Sequence, residues 1–131
     1  MLSKRFRLRK RSDVMRVRRM GQRYRHPLAI LLVAPSPAAV KEKADSSEMS
    51  GRDGSRFAVV ASRRVGSAVT RNRAKRLLRE ALRSQLGQIE PGWDGMLIAR
   101  QATAHAGYVE VERAVATLLA RADILTGQRS I

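Results

Sequence analysis

Residues 63–80 read Arg63-Arg64-Val65-Gly66-Ser67-Ala68-Val69-Thr70-Arg71-Asn72-Arg73-Ala74-Lys75-Arg76-Leu77-Leu78-Arg79-Glu80, and two patterns overlap in them. Gly66 and Ser67 mark a helix start, with Ser67 suited to cap the first free amides. Beyond them Val69, Ala74, Leu77, Leu78, Ala81 and Leu82 recur at helical spacing, which predicts an amphipathic helix from about Ala68 to about Leu86 with Gly87 past its end. On the flank away from the leucines, Asn72, Lys75, Arg76 and Arg79 follow one another at three- and four-residue intervals, with Arg71 and Arg73 to either side. Just upstream, Phe57 to Ala61 is a short apolar run of the kind that forms a buried strand, so Arg63 and Arg64 stand in the loop between strand and helix.

Further out the signals alternate. Ser12 and Asp13 suit a helix start, with Val14, Val17 and Met20 predicted on one side and Gly21 as the stop. Gln22 to Arg25 reads as a short strand. Leu28 to Val33, after Pro27, is a continuous apolar run better fitted to a buried strand than to a helix. Pro35 to Ser55 holds two Pro, two Gly and five Ser and no aromatic residue, so a flexible loop insertion is expected there. After the central helix, Pro91-Gly92 makes a turn, Asp94-Gly95 leads into a strand over Met96 to Ala99, and a last helix opens near Tyr108. Its stripe is Val111, Val115, Leu118, Ala122 and Leu125, and Glu110 and Glu112 lie near its positive end. The expected fold is a single α/β (α+β) domain in the order helix, three strands, helix, strand, helix.

Charge separates this domain from an ordinary one. The 131 residues carry 27 Lys and Arg against 11 Asp and Glu, a formal net charge of +16. Residues 1–25 hold 11 basic residues and only Asp13 as an acid; residues 63–83 hold 8 and only Glu80. The rest of the chain is close to neutral. One basic run alone is commonly just a solvated surface, but solubility does not require two such runs on an otherwise neutral domain. The expected partner is a polyanion, nucleic acid first. An Arg-rich, acid-poor N-terminus also suits an organellar targeting segment, yet the second basic run lies deep in the chain. The longest apolar run, Leu28 to Ala34, is too short to span a bilayer, so no membrane association is expected.

Catalytic residue types are scarce. With no cysteine there is no thiolate nucleophile or thiolate metal site. His26 and His105 have no spacing that suggests a metal pair or a relay, and both read as surface or loop residues. Glu110 and Glu112, two apart on a helix, point to different sides, and no glycine-rich phosphate loop follows a strand. Arginine on the 63–80 helix suits binding, since its planar fork grips two phosphate oxygens at once, and Asn72 adds a donor and an acceptor able to read a 2′-hydroxyl or a base edge.

In this segment the sequence resembles the protein subunit of bacterial ribonuclease P. Two basic residues, a hydrophobic residue, Gly, any residue, Ala-Val, any residue, Arg-Asn-Arg, Lys-Arg and a Leu-rich helix are all matched between Arg63 and Glu80. The likeness extends to Arg7-Leu8, Asp13 and Gly21 in the first helix region, Phe57 to Ser62, Asp94 to Arg100, and Tyr108. The resemblance implies a central four-stranded sheet with a left-handed crossover between the third and fourth strands. It also implies a cytoplasmic ribonucleoprotein endonuclease that removes the 5′ leader from precursor tRNA. The partner RNA would then be the catalyst, using magnesium ions, and the protein would supply no catalytic group and bind no cofactor alone. Arg63, Arg64, Arg71, Asn72, Arg73, Lys75, Arg76 and Arg79 would contact the catalytic RNA. The precursor's leader would lie in a cleft between the sheet and the first helix.

Two departures from the family pattern bear on this. Relatives often carry aromatic residues along the cleft, whereas the matching positions here are Val14, Arg18 and Leu32, which offer no ring for a base to stack on. The Pro35–Ser55 insertion is longer than in many relatives. On composition alone a structural ribosomal protein would also fit, and would sediment with a ribosomal subunit rather than travel with one small RNA. A protein-only nuclease would need carboxylate or histidine ligands beyond those in the sequence.

Overall fold

The computed structural model describes residues 7, 8, 10–36 and 55–126. Helix α1 (Arg11–Met20) leads into β1 (Gln22–His26) and β2 (Ala29–Pro35); β3 (Arg56–Val60), α2 (Ala68–Arg83), β4 (Trp93–Ala99) and α3 (Tyr108–Arg121) follow. The four strands form one mixed sheet in the order β1-β2-β4-β3. β1 with β2 and β2 with β4 are antiparallel, while β3 and β4 are parallel and joined through α2.

Helices on both sheet faces explain why β2 is apolar at almost every position. Ala29, Leu31 and Val33 point to the face where Phe57, Leu97, the Ala74-Leu78-Ala81-Leu82 stripe of α2 and the Val111-Val115-Leu118 stripe of α3 form the larger core. Leu32 and Ala34 point the other way, toward Leu8, Met96 and Val17 of α1. Leu8 arrives there because its N–H donates to the Phe57 carbonyl at 2.8 Å, tying the chain ahead of α1 to the β3 edge.

Several boundaries differ from the sequence expectations. Ser12 does not cap α1: the helix starts at Arg11, and Lys10 at the cap position makes no side-chain cap bond. Met20 is 71% exposed, because steps of three residues drift by about 60° each and carry it off the stripe that buries Val17. Val69 is 79% exposed for a similar reason: nine residues before Leu78, it faces about 180° away. α2 ends at Arg83, and Gly87 lies in a separate 3₁₀ turn over Leu86–Gln88. Asp94 and Gly95 belong to the body of β4, which begins at Trp93.

The ends of the predicted 35–55 loop are ordered elements. Pro35 is the last residue of β2 and Ser36 is buried, its N–H donating to the Gly92 carbonyl at 2.8 Å. Ser55 is buried as well, with its hydroxyl donating to the Glu90 carbonyl at 2.6 Å and accepting from the Trp93 N–H at 3.0 Å. Residues 37–54, the remainder of that expectation, lie outside the described residues.

Candidate nucleic-acid interface

The strand β3 ends at Val60, and a 3₁₀ turn over Arg63–Val65 follows, with Ser62 Oγ accepting from the Arg64 N–H at 3.3 Å. Gly66 then adopts φ 145°, ψ −155°, a region open essentially to glycine alone. Ser67 caps α2 as expected, its hydroxyl accepting from the Thr70 N–H at 3.3 Å. This sharp entry aims the first turns of α2 and fixes where its basic residues point.

Those residues leave the helix in three directions. Arg71 turns back, donating from Nη1 to the Gly66 carbonyl at 3.1 Å. Arg73 reaches across to a 3₁₀ turn over Gln101–His105, where its Nε donates to the Ala104 carbonyl at 2.8 Å. Between them Asn72, with Arg76, Arg79 and Glu80, lines a shallow concavity of about 300 Å³ on the outer flank. Lys75 is half-buried beside this flank, and Asn72 and Arg76 are exposed. Arg63 and Arg64 are exposed on the preceding turn, which is pinned where Gln101 Nε2 donates to the Arg64 carbonyl at 3.1 Å. Arginine has five N–H donors, so Arg71 and Arg73 each commit one to the framework and keep others for a ligand.

A second surface lies on the sheet face that α1 covers only in part. The rows Ala34–Asp94–Arg56 and Leu32–Met96–Ala58 lie toward α1, and Leu32 there is only 2% exposed. The next row on the same face, Ile30–Ile98–Val60 with Arg25 opposite Ile30, is only half-buried across its three apolar residues. Where this open face meets the carboxyl ends of the parallel strands, Pro27, Ile30, Arg64, Val65, Arg100 and Gln101 contribute to a groove of about 650 Å³. Crevices at the carboxyl ends of parallel strands are common ligand sites. Its apolar floor and two flanking guanidinium groups suit a strand carrying both bases and phosphates.

Of the three cleft residues expected from sequence, Val14 and Leu32 share the small cluster beneath α1 and Arg18 stands apart from it. Val14 is half-buried against Val17 and its neighbours, Arg18 is exposed on α1, and Leu32 is core beneath the helix, because α1 crosses the sheet directly above it. Ile30, Ile98, Val60, Arg100 and Gln101 were not visible as a group in the sequence. The strand alternation would have placed Ile30 on the same face as Leu32, but the row left open depends on where α1 lies.

The carboxylates are engaged with the framework. Asp94 is fully buried in β4 and receives Arg16 Nη2 at 2.5 Å and Arg56 through Nε at 3.1 Å and Nη2 at 2.9 Å. Asp13 stands 3.5 Å from Arg56 and 3.8 Å from Arg16. The paired carboxylates hold the Arg56 guanidinium firmly charged, raising its pKa chiefly through the Asp94 hydrogen bonds. Glu80 pairs with Arg83 at 3.2 Å, and the Arg83 hydrogen bond and charge lower its pKa. Glu110 accepts from the Gly107 N–H at 2.8 Å at the start of α3, and Glu112 accepts from the Ser84 hydroxyl at 3.0 Å. His26 Nδ1 accepts from the Leu28 N–H at 3.0 Å across the β1–β2 turn, and His105 is exposed. Among the described residues no three His, Asp or Glu side chains gather to hold a metal, and no helix is long and apolar enough to cross a membrane.

This arrangement recurs in known proteins. A family model described as Ribonuclease P matches residues 2–123. The ribonuclease P protein component of Herpetosiphon aurantiacus is 37% identical over 118 residues, covering 90% of this chain and 85% of the relative. That of Dehalococcoides mccartyi is 38% identical over 120 residues, covering 92% and 87%. Among solved structures, the RNase P protein of Thermotoga maritima superposes with a TM-score of 0.68 at 27% identity, covering 88% of this chain and 96% of its own. The Staphylococcus aureus RNase P protein gives 0.73 at 22% identity, covering 92% and 98%, a likeness of fold. With the family model spanning nearly the whole chain and relatives above 30% identity along most of it, the chain belongs to the ribonuclease P protein family, as the protein component of an endoribonuclease holoenzyme that takes part in tRNA 5′ processing.

Proposed function

We propose that this chain binds the catalytic RNA subunit through the outer flank of α2, holds the 5′ leader of precursor tRNA over the open half of the sheet, and supplies no group to bond breaking. The observation that carries the reading is the pairing of two unlike surfaces on either side of the 62–66 turn. Asn72, Arg76 and Arg79 form an outward flank of charge and hydrogen-bonding capacity, suited to a folded RNA backbone. The groove over Ile30, between Arg64 and Arg100, combines apolar floor with positive walls, suited to a single strand. Without aromatic rings the floor contacts bases by apolar packing alone, so little preference among leader sequences is expected.

Phosphodiester hydrolysis in such a holoenzyme is expected to use magnesium, whose ligands are oxygens on rigid supports. Among the described residues, the acids of α1, β4, α2 and α3 do not fit that task. Asp13 and Asp94 are neutralised by Arg16 and Arg56, and Glu80, Glu110 and Glu112 lie on helix surfaces bonded to Arg83, Gly107 and Ser84. In this reading magnesium sits with the RNA, and the protein's part is to lower repulsion between RNA and substrate.

Reconstitution with the cognate RNA tests this. At low magnesium the protein should stimulate cleavage of precursors with a leader several nucleotides long more than cleavage of leaderless ones, and the difference should shrink as monovalent salt rises. RNA alone should cleave at high magnesium. An RNA that stays inert at high magnesium, together with loss of the chemical step in Glu80→Ala while RNA binding is intact, would place catalytic groups on the protein and end this reading.

A further inference from the structure

Helix α1 borders the open half of the sheet face, where Ile98 and Val60 pack against the cluster that holds its Val17, yet it rests on the sheet through little apolar surface. Of its ten residues only Val17 is fully buried, with Val14 half-buried beside it. Burial of one or two valines is too weak to fix a helix at one height and angle. A charge knot at the other end of the sheet face adds the missing constraint. Arg16 of α1 donates from Nη2 to Asp94 at 2.5 Å and from Nη1 to the Pro35 carbonyl at 2.9 Å, so it bonds to β4 and to the end of β2 together. Asp13, one turn earlier on α1, faces Arg56 of β3 at 3.5 Å, and Arg56 grips Asp94 through two nitrogens.

Asp94 is the hub, with no solvent exposure and a carboxylate shared between two guanidinium groups. A carboxylate so placed is stable only with its partners in position, which makes the knot intolerant of small displacements. Asp94 lies four residues before Ile98 along β4, so the clamp and the open row are separated by about 13 Å on one sheet face. A change in the tilt of α1 at the clamp therefore alters how far the helix reaches toward Ile98 and Val60.

We propose that Asp94 is a positioning residue for leader binding: by clamping Arg16 it sets how α1 stands over the sheet, and so how much of the open face beside the groove is left to the single strand. The proposal rests on the leader reading of that groove. Asp94→Asn removes the charge at nearly constant shape, and Arg16→Met keeps the stem while removing the fork; the second variant serves if the first folds poorly. Both are compared with wild type in the reconstituted holoenzyme, below the melting temperature of each, on one precursor with a leader of several nucleotides and one without.

The expected result is a KM raised by roughly tenfold for the leadered precursor, corresponding to about 1.4 kcal/mol. KM for the leaderless precursor, and kcat at saturation for both, should stay within about twofold, a margin of roughly 0.4 kcal/mol. Equal loss on both precursors, or no loss on either despite a lowered melting temperature, would show that the knot serves only the fold and overturn the proposal alone. A wild-type holoenzyme indifferent to the leader would overturn the leader reading and this proposal with it.

Discussion

Arg73 and Arg76 are three residues apart on one helix, yet they answer to different constraints. Arg73 donates to the carbonyl of the buried Ala104, and that carbonyl loses a partner if the side chain is cut back. Arg73→Ala should thus lower stability by about 1–3 kcal/mol while also weakening RNA binding. Arg76 is exposed and lines the outer concavity, so Arg76→Ala should weaken RNA binding with a stability change within about 0.5 kcal/mol. Thermal unfolding beside an RNA titration separates the two; equal melting temperatures would refute the structural part assigned to Arg73. His26 gives a pH signature. Burial first, and the nearby Arg121 charge second, lower its folded pKa below 6.5. A depressed histidine pKa means the unfolded state binds the proton more readily. The neutral ring's contribution is therefore complete above about pH 6.5 and is lost as pH falls through the folded value. Melting curves at descending pH should show a decline that His26→Gln reduces; identical slopes in both proteins would remove His26 from the account.

At the scale of elements, helical spacing revealed α2 and α3 because their buried stripes are made of residues that repeat locally. Leu78→Ala should accordingly cost about 2–5 kcal/mol, whereas Val69→Lys should change stability by no more than about 0.5 kcal/mol. Chemical denaturation of the two variants checks this, and a large loss in Val69→Lys would mean that the first turn of α2 is packed after all. The two sequence errors on α1, Ser12 as cap and Met20 as core, share a cause. A short helix with one fully buried residue is placed by its surroundings rather than by its own pattern. Asp94 was hidden for a related reason. A lone acid beside glycine reads as a turn, and its partners Arg16 and Arg56 lie 78 and 38 residues away. The basic flank of α2 was legible because charge on one helix follows spacing alone; the open row of the groove was not, because it is defined by what α1 leaves uncovered.

For the whole molecule the controlling quantity is a net charge of +16, concentrated in two stretches of the sequence that flank residues of near-neutral balance. Binding to RNA should weaken steeply with salt, and each phosphate contact removed should lower the steepness by about one unit. The double variant Arg76→Ala/Arg79→Ala should thus flatten a plot of log affinity against log salt by about two units. An unchanged slope would place the RNA contact elsewhere. The strand order has a separate consequence for how the protein comes into being. β4 lies between β2 and β3 although it is made after both, so during synthesis β2 and β3 emerge with no sheet partner between them. The sheet cannot close until Ala99 has left the ribosome, and a strongly cationic nascent chain, with the β1–β2 hairpin and β3 still unjoined, waits until then. Nascent chains arrested before residue 93 should be protease-sensitive and those extended well past residue 121 resistant, so folding of this domain is a late event in its own translation.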